Sequence, residues 1–538
     1  MTGFSLAFSQ TKDLFKQAAT NVSLCEILRG LEKESLRITP QGTLAKTPHP
    51  STLGSALTHP KITTDYSEAL LEFITPPLKD TKNLLNELNR IHRYTFAQID
   101  SQKEMLWPSS MPCQLGKDDE IPVAQYGSSN SGKMKTVYRL GLGHRYGRSM
   151  QTIAGIHYNF SLPDSFWKAL NDLHQPKSDE SLQDFKTRGY FALIRNFRRY
   201  FWLLIYLFGA SPAVCSCFIN NRQHQLKLFP SAGHTHYLPF ATSLRMGDLG
   251  YQSDAQKKLA VNYNNIQDYL RTLCHAITET HPAYSAIGLK DQEGHYQQLN
   301  DSLLQIENEF YSSIRPKRTT QRGETALQAL RLRGVEYIEV RCVDLNPYEP
   351  LGITETQIQL MDAFLLYCVL SPSPETDEQE FYQGQENQRR IVNTGREPGL
   401  QLLRGENQVF MKDWALEILQ DCLHCAELLD QSANSQSYQS AVREQINKIH
   451  QPESTPSAKI LREMQEQKKS FYEYTHALAE QHAKYFSQQP LADDLLQEYT
   501  KLAEESLKEQ AALEDNQTMS FDEYLQGYFA QYQACQCC

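Results

Sequence analysis

The chain has 538 residues, 40% hydrophobic and 22% charged, the make-up of an ordinary globular protein with room for several domains of ~100–200 residues. Its formal charge of −10 speaks against a nucleic-acid partner, which selects a basic face, but not against a nucleotide whose phosphates a metal screens. Met1 to Asp13 shows no signal-peptide pattern, and the longest apolar run, Tyr200 to Ala210, is far short of the ~20 residues that span a bilayer. The 12 cysteines are scattered through a long chain, so a reduced, cytoplasmic protein with no membrane partner is expected.

In chain order, Glu32 and Glu34 lie two apart and share a face if their segment is extended. Asp65 and Glu68 precede an apolar strand, Ala69 to Thr75, which Glu72 interrupts. Gly127 to Lys133 (GSSNSGK) matches the opening of a P-loop, but Met134 replaces the hydroxyl that would hold Mg²⁺, and Ile121 to Tyr126 makes a poor buried strand. No P-loop is expected. From Ile156 to Leu162, Ile156, Tyr158 and Phe160 alternate with His157, Asn159 and Ser161. Arg315, Lys317 and Arg318 suit phosphate contacts and a basic surface turn equally well. In Glu336 to Cys342, Ile338, Val340 and Cys342 take one face, and Tyr337, Glu339 and Arg341 the other.

Further on, Ser371 to Glu397 is polar and holds Pro372, Pro374, Gly384 and Gly395, which predicts a long surface loop. From about Met411 to Phe529 the chain is mostly helical, with a second loop at Gln451 to Ser457. Cys422 and Cys425 fall on one face of the helix predicted over Trp414 to Leu429, which favours core packing over redox chemistry. Cys535, Cys537 and Cys538 are too few for a closed zinc site. The expected α/β (α+β) organisation is one domain over 8–530: a strand-rich body to about 370, a loop over 371–397, a helical part over 405–530, then a Cys-rich tail over 531–538.

A sheet with one apolar face and one carboxylate-bearing face points to a cation. Two carboxylates ~4 Å apart repel by roughly 4 kcal/mol at an effective dielectric near 20, so a cluster must bind a cation or protonate. Mg²⁺ takes oxygen ligands held on rigid strands. Any one glutamate alone also fits a solvated strand edge; Glu72 and Glu339, among apolar neighbours, fit the site better. Arg139 and Arg341 suit bidentate phosphate contacts. No G-x-S-x-G elbow occurs, and no cysteine motif assigns a histidine partner, so nucleophilic catalysis is not expected.

The runs RGLEKESLRI, GSALTHPKITTDYSEALLEFITP, MLWPSSMPC, GIHYNFSLP, YLFGASPA, FATSLRMGDLGY, LLQIENEFYSSIRPKR and GVEYIEVRCVDLNP resemble those of bacterial glutamate–cysteine ligase of the proteobacterial type, over roughly Arg29 to Gly352. The resemblance implies a glutamine-synthetase-like fold, a curved, mainly antiparallel sheet forming a funnel with helices outside. It implies ATP-dependent joining of the glutamate γ-carboxylate to the cysteine amine through a γ-glutamyl phosphate. By matching motifs, Glu32, Glu34, Asp65, Glu72, His157 and Glu339 fall on metal ligands for Mg²⁺, with Mn²⁺ as the other candidate. Arg341 and Arg139 fall on catalytic positions, and Arg341, Arg315 and Lys317 on ATP-binding ones. Tyr138, Arg245, Tyr251, Tyr311, Asn159 and Gln151 fall on substrate-binding positions. Tyr66 stands where relatives often carry Phe, which bears on thiol specificity. The match leaves no room for the ATP-grasp domain of some relatives, so γ-glutamylcysteine is the implied product, with glutathione as feedback inhibitor and a monomer as the expected state. Two rivals remain: a ligase of the same mechanism with another amine acceptor, and a non-catalytic metal- and nucleotide-binding regulator.

Overall fold

The alternating segments all enter one sheet. The structure, a computed structural model, describes residues 7–18, 22–99, 103–112, 114–174, 180–219, 223–249, 256, 259–489 and 491–533. Its strands in chain order are β1 (Leu28–Ile38), β2 (Ile62–Thr64), β3 (Leu70–Ile74), β4 (Met105–Leu106), β5 (Ile156–Ser161), β6 (Ala213–Cys215), β7 (Lys227–Leu228), β8 (Thr235–Tyr237), β9 (Ile314–Lys317), β10 (Tyr337–Val343), β11 (Gln401–Arg404) and β12 (Asn407–Phe410). The main sheet runs β2-β3-β1-β5-β10-β9, with β4 on the end of β1, and every pairing is antiparallel. Register places Glu34 opposite Glu72, Glu32 opposite His157, and Glu339 between Asn159 and Arg315.

Alternation decides which face each side chain takes. Ile156, Tyr158, Phe160, Ile338, Val340 and Cys342 are buried against the helices beneath the sheet. On β1 that packed face also carries Arg29, Lys33 and Arg37, each buried and each answered. Arg29 Nε donates to Asp362 Oδ2 at 2.7 Å, Arg37 pairs with Glu104 at 2.6 Å, and Lys33 Nζ meets His92 Nε2 at 2.7 Å. Asp362 lies on the helix Glu355–Leu370, which opens with a capping box of Thr354 and Gln357. Tyr438, from the helix Ser437–His450, also donates to Asp362, so the C-terminal helices share the core of the strand-rich body.

Six helices span Met411 to Gln533, as the periodicity predicts. Cys422 and Cys425 are fully buried in the first. The Gln451 to Ser457 break is a tight turn, Pro452–Ser454, followed by a helix that starts on Pro456. Ser129, in the P-loop-like run, simply caps the helix Asn130–Tyr146 by accepting from the Gly132 N–H. The predicted loop over 371–397 is corrected: it contains the helix Glu378–Thr394. The prolines precede this helix, the Asp377 side chain caps it, and Asn387, Ile391 and Val392 are buried on one side, so a mostly polar segment still has a face to bury. The tail cysteines lie outside the described residues. Among the described residues no helix is long and apolar enough to cross a membrane.

Candidate active site

The other face of the sheet gathers the carboxylates. Glu32, Glu72 and His157 offer ligand atoms that all lie within 4.8 Å of one another. His157 Nδ1 is 3.1 Å from Glu32 Oε2, and its Nε2, buried and without a hydrogen bond, is 3.6 Å from Glu34 Oε1. Asn159 donates to Glu32 Oε1 at 2.8 Å, and the Gly155 N–H donates to Glu34 Oε2 at 2.7 Å. Glu339 is engaged differently, by Arg341 Nη1 at 3.0 Å and Lys317 Nζ at 3.1 Å, while Arg341 Nη1 also reaches His157 Nδ1 at 3.3 Å.

These surroundings split the four glutamates. Burial first, then the charge of Asp65, pushes Glu34 up to about 8. Burial and the charges of Glu32, Asp65 and Glu34 raise Glu72 well above the usual range. Burial works the same way on Glu339, but Lys317, Arg341 and His157 outweigh it and hold the group well below that range. Glu32 is also pulled below it: burial and Glu339 push up, and the His157 hydrogen bond and charge prevail. Burial and Arg341 lower His157 against the opposing pull of Glu32 and Glu339. Two protonated glutamates next to two ionised ones and an orphaned imidazole nitrogen fit a hard divalent cation, which would displace the protons.

Beside the cluster lies a cavity of about 80 Å³ walled by Glu34, Asp65, Tyr66, Tyr138, Gln151, Tyr311 and Arg341. Gln151 Nε2 donates to the Tyr311 hydroxyl at 2.9 Å. A larger cavity of about 850 Å³ shares Tyr311 and Arg341 with it.

Several expected residues stand elsewhere. Arg139 lines the small cavity, donates to the carbonyls of Thr64, Asp65 and Lys135, and lies 4.5 Å from the Tyr126 ring centre. Arg315 is buried on β9 and donates to the carbonyls of Asn308 and Phe310, which corrects the surface-turn alternative for it. Arg318 turns away to the Arg333 carbonyl. Glu68 accepts from the N–H groups of His49 and Gln125, tying loops together away from the cluster. Arg245 lines neither cavity. It is fully buried, 3.7 Å from Asp344, with Nη2 donating to the Arg341 carbonyl at 3.0 Å. Its guanidinium occupies the space where a side chain at Gly155 would begin. Tyr251 lies outside the described residues. The sequence reading missed Glu309, which borders the small cavity and accepts from Arg145 and Tyr146; the two acids of Glu307-Asn-Glu309 just ahead of a basic strand were the available signal.

A family profile described as glutamate-cysteine ligase matches residues 13–391. The chain belongs to the glutamate–cysteine ligase family. It is similar to the glutamate–cysteine ligase of Saccharophagus degradans, 52% identical over 514 residues that cover 95% of this chain and 96% of the relative. It is 51% identical to that of Alcanivorax borkumensis over 94% of this chain and 96% of the relative. The solved glutamate–cysteine ligase of Francisella tularensis, in complex with AMP, aligns with a TM-score of 0.88 at 36% identity, covering 95% of this chain and 98% of that one. The α+β architecture expected from the sequence, helices around an antiparallel sheet, is the one this chain has in common with that structure.

Proposed function

We propose that this chain is an ATP-dependent ligase that joins the γ-carboxylate of L-glutamate to the amine of L-cysteine through a γ-glutamyl phosphate, releasing ADP, phosphate and γ-glutamylcysteine. The observation that carries the reading is Arg341, which touches both Glu339 and His157 and lines the small cavity. One guanidinium thus bridges a cation site and an amino-acid-sized space.

Mg²⁺, or Mn²⁺, held by Glu32, Glu72 and His157 with Glu34, Asp65 and Glu339 around them, would neutralise the phosphates and the charge that develops on transfer. Arg341, with Lys317 and Arg315 along β9, faces the transferring phosphoryl group. The glutamate carboxylate attacks the γ-phosphorus, the bond to the β-phosphate oxygen breaks, and ADP leaves with its electrons. The cysteine amine then attacks the acyl carbonyl and expels phosphate. Asp65 is the carboxylate on that wall placed to take the proton the amine sheds. Tyr66, Tyr138, Gln151 and Tyr311 shape the cysteine niche, Asn159 holds Glu32, and Arg245 supplies the counter-charge for the substrate carboxylate from behind Gly155. The proposal extends to a monomeric cytoplasmic enzyme with glutathione as feedback inhibitor.

Product analysis tests it. Incubation with glutamate, cysteine and Mg-ATP is expected to yield a species of glutamate plus cysteine less one water, with one ADP per molecule formed. A better kcat/KM with another amine would favour the rival acceptor, and no ligated product would overturn the assignment.

A further inference from the structure

Two tyrosines of the small cavity hang from one buried carboxylate that no role above uses. Glu309, in the short turn ahead of β9, pairs with Arg145 at 2.9 Å, and neither side chain is exposed. Its Oε1 also accepts from the Tyr146 hydroxyl at 2.6 Å, and its Oε2 from the Gln305 N–H at 2.6 Å. The Tyr146 and Gln305 contacts each lead to a cavity wall. The Gln305 side chain donates to the carbonyl of Tyr138 at 3.1 Å. The Gln256 side chain donates to the Tyr146 hydroxyl at 3.2 Å and the Glu309 carbonyl at 3.0 Å, and accepts from the N–H of Tyr311 at 3.0 Å.

The neighbours keep this hub in place. Arg145 spends its other donors on Gln298 and the Asn300 carbonyl, with its guanidinium 4.2 Å from the Tyr284 ring centre. Gly141 of the helix Asn130–Tyr146 leaves no room for a Cβ beside the Gln305 amide, so that amide can reach the Tyr138 carbonyl. Buried, fully answered networks of this kind fix one geometry, because breaking any link strands a polar group away from water.

We propose that Glu309 is a positioning residue that sets the spacing of Tyr138 and Tyr311 and thereby the discrimination between cysteine and other acceptor amines. The proposal rests on the reading that the small cavity receives the acceptor. Glu309 borders that cavity, but its carboxylate is fully buried and engaged by Arg145, Tyr146 and the Gln305 N–H. Its effect passes through Gln305 on one side, and through Tyr146 and Gln256 on the other.

The test compares Tyr146→Phe, which removes one hydroxyl, with Glu309→Gln and with Gly141→Ala, which pushes Gln305 aside without changing a charge. Each variant is assayed with cysteine and with 2-aminobutyrate, its thiol-free analogue. Losing one hydrogen bond is expected to raise the KM for cysteine about 3- to 10-fold while the KM for ATP stays within about twofold. The preference for cysteine over 2-aminobutyrate should shrink in all three variants. Should Glu309→Gln fold poorly, Tyr146→Phe carries the test alone. Unchanged selectivity, or KM values for ATP, glutamate and cysteine that rise together, would overturn the positioning role while leaving the ligase intact. A change confined to ATP would overturn the assignment of the cavity to the acceptor as well.

Discussion

His157 Nδ1 lies 3.1 Å from Glu32 Oε2 across the β1–β5 pairing, and its Nε2 points to Glu34, 3.6 Å away. One imidazole thus sits between two glutamates of β1. His157→Ala is expected to raise the half-saturating Mg²⁺ concentration by at least about tenfold, the loss typical of disturbing a metal site. A magnesium titration of ADP release reads the value; an unchanged metal dependence would remove His157 from the site.

Proton release on metal binding follows from the split among the glutamates. Glu34, raised from 4.5 to about 8, and Glu72, also raised, keep protons in the folded metal-free protein that the unfolded chain has shed. Between those two values the folded state binds more protons, so the contribution of these groups to stability falls as pH rises through the window. Glu32 and Glu339 are shifted downward, so their contribution is already complete above the ordinary glutamate range and adds no slope there. Metal affinity should therefore rise with pH from about 5 to 8. Calorimetric titration with Mg²⁺ or Mn²⁺ in buffers of different ionisation heat should show protons leaving; a heat that does not depend on buffer would contradict this.

Arg245 is buried against Asp344 and the Arg341 carbonyl. Arg245→Ala should raise the KM for cysteine by roughly tenfold, through the loss of a buried charge acting from behind Gly155, and lower the melting temperature because Asp344 loses its counter-charge. Equal rises in the KM values for cysteine and ATP would assign the residue to structure alone.

Glu339 is held ionised by Lys317 and Arg341. A cation bound only by the folded form, at ~100 times its dissociation constant, adds about 2.7 kcal/mol of stability. Mg-ATP should raise the melting temperature of the native protein, and Glu339→Gln should blunt that rise and abolish turnover. A variant that keeps both full activity and the full shift would place the metal elsewhere.

Much of this was legible because a two-residue period forces faces. Once Ile338 and Val340 are buried, Glu339 and Arg341 must share the opposite side, and the same holds for His157 and Asn159 on β5. What alternation cannot supply is the pairing between strands distant in sequence, so the meeting of Glu32 with His157 rested on family resemblance until the register was seen. The helix Glu378–Thr394 was illegible because the prolines before it and its polar surface imitate a loop, while its buried Ile391 and Val392 make a narrow stripe. The surroundings of Arg245 and Arg139 were illegible for another reason. Nothing local in the sequence shows that one guanidinium is walled in by Gly155 or that the other is spent on backbone carbonyls.

ADP release from Mg-ATP by the purified protein, measured with glutamate alone and with glutamate plus cysteine, tests the central claim most directly. The account predicts release that requires both glutamate and Mg²⁺ and rises strongly when cysteine is added. Metal-replete protein that releases no ADP in response to cysteine would contradict it.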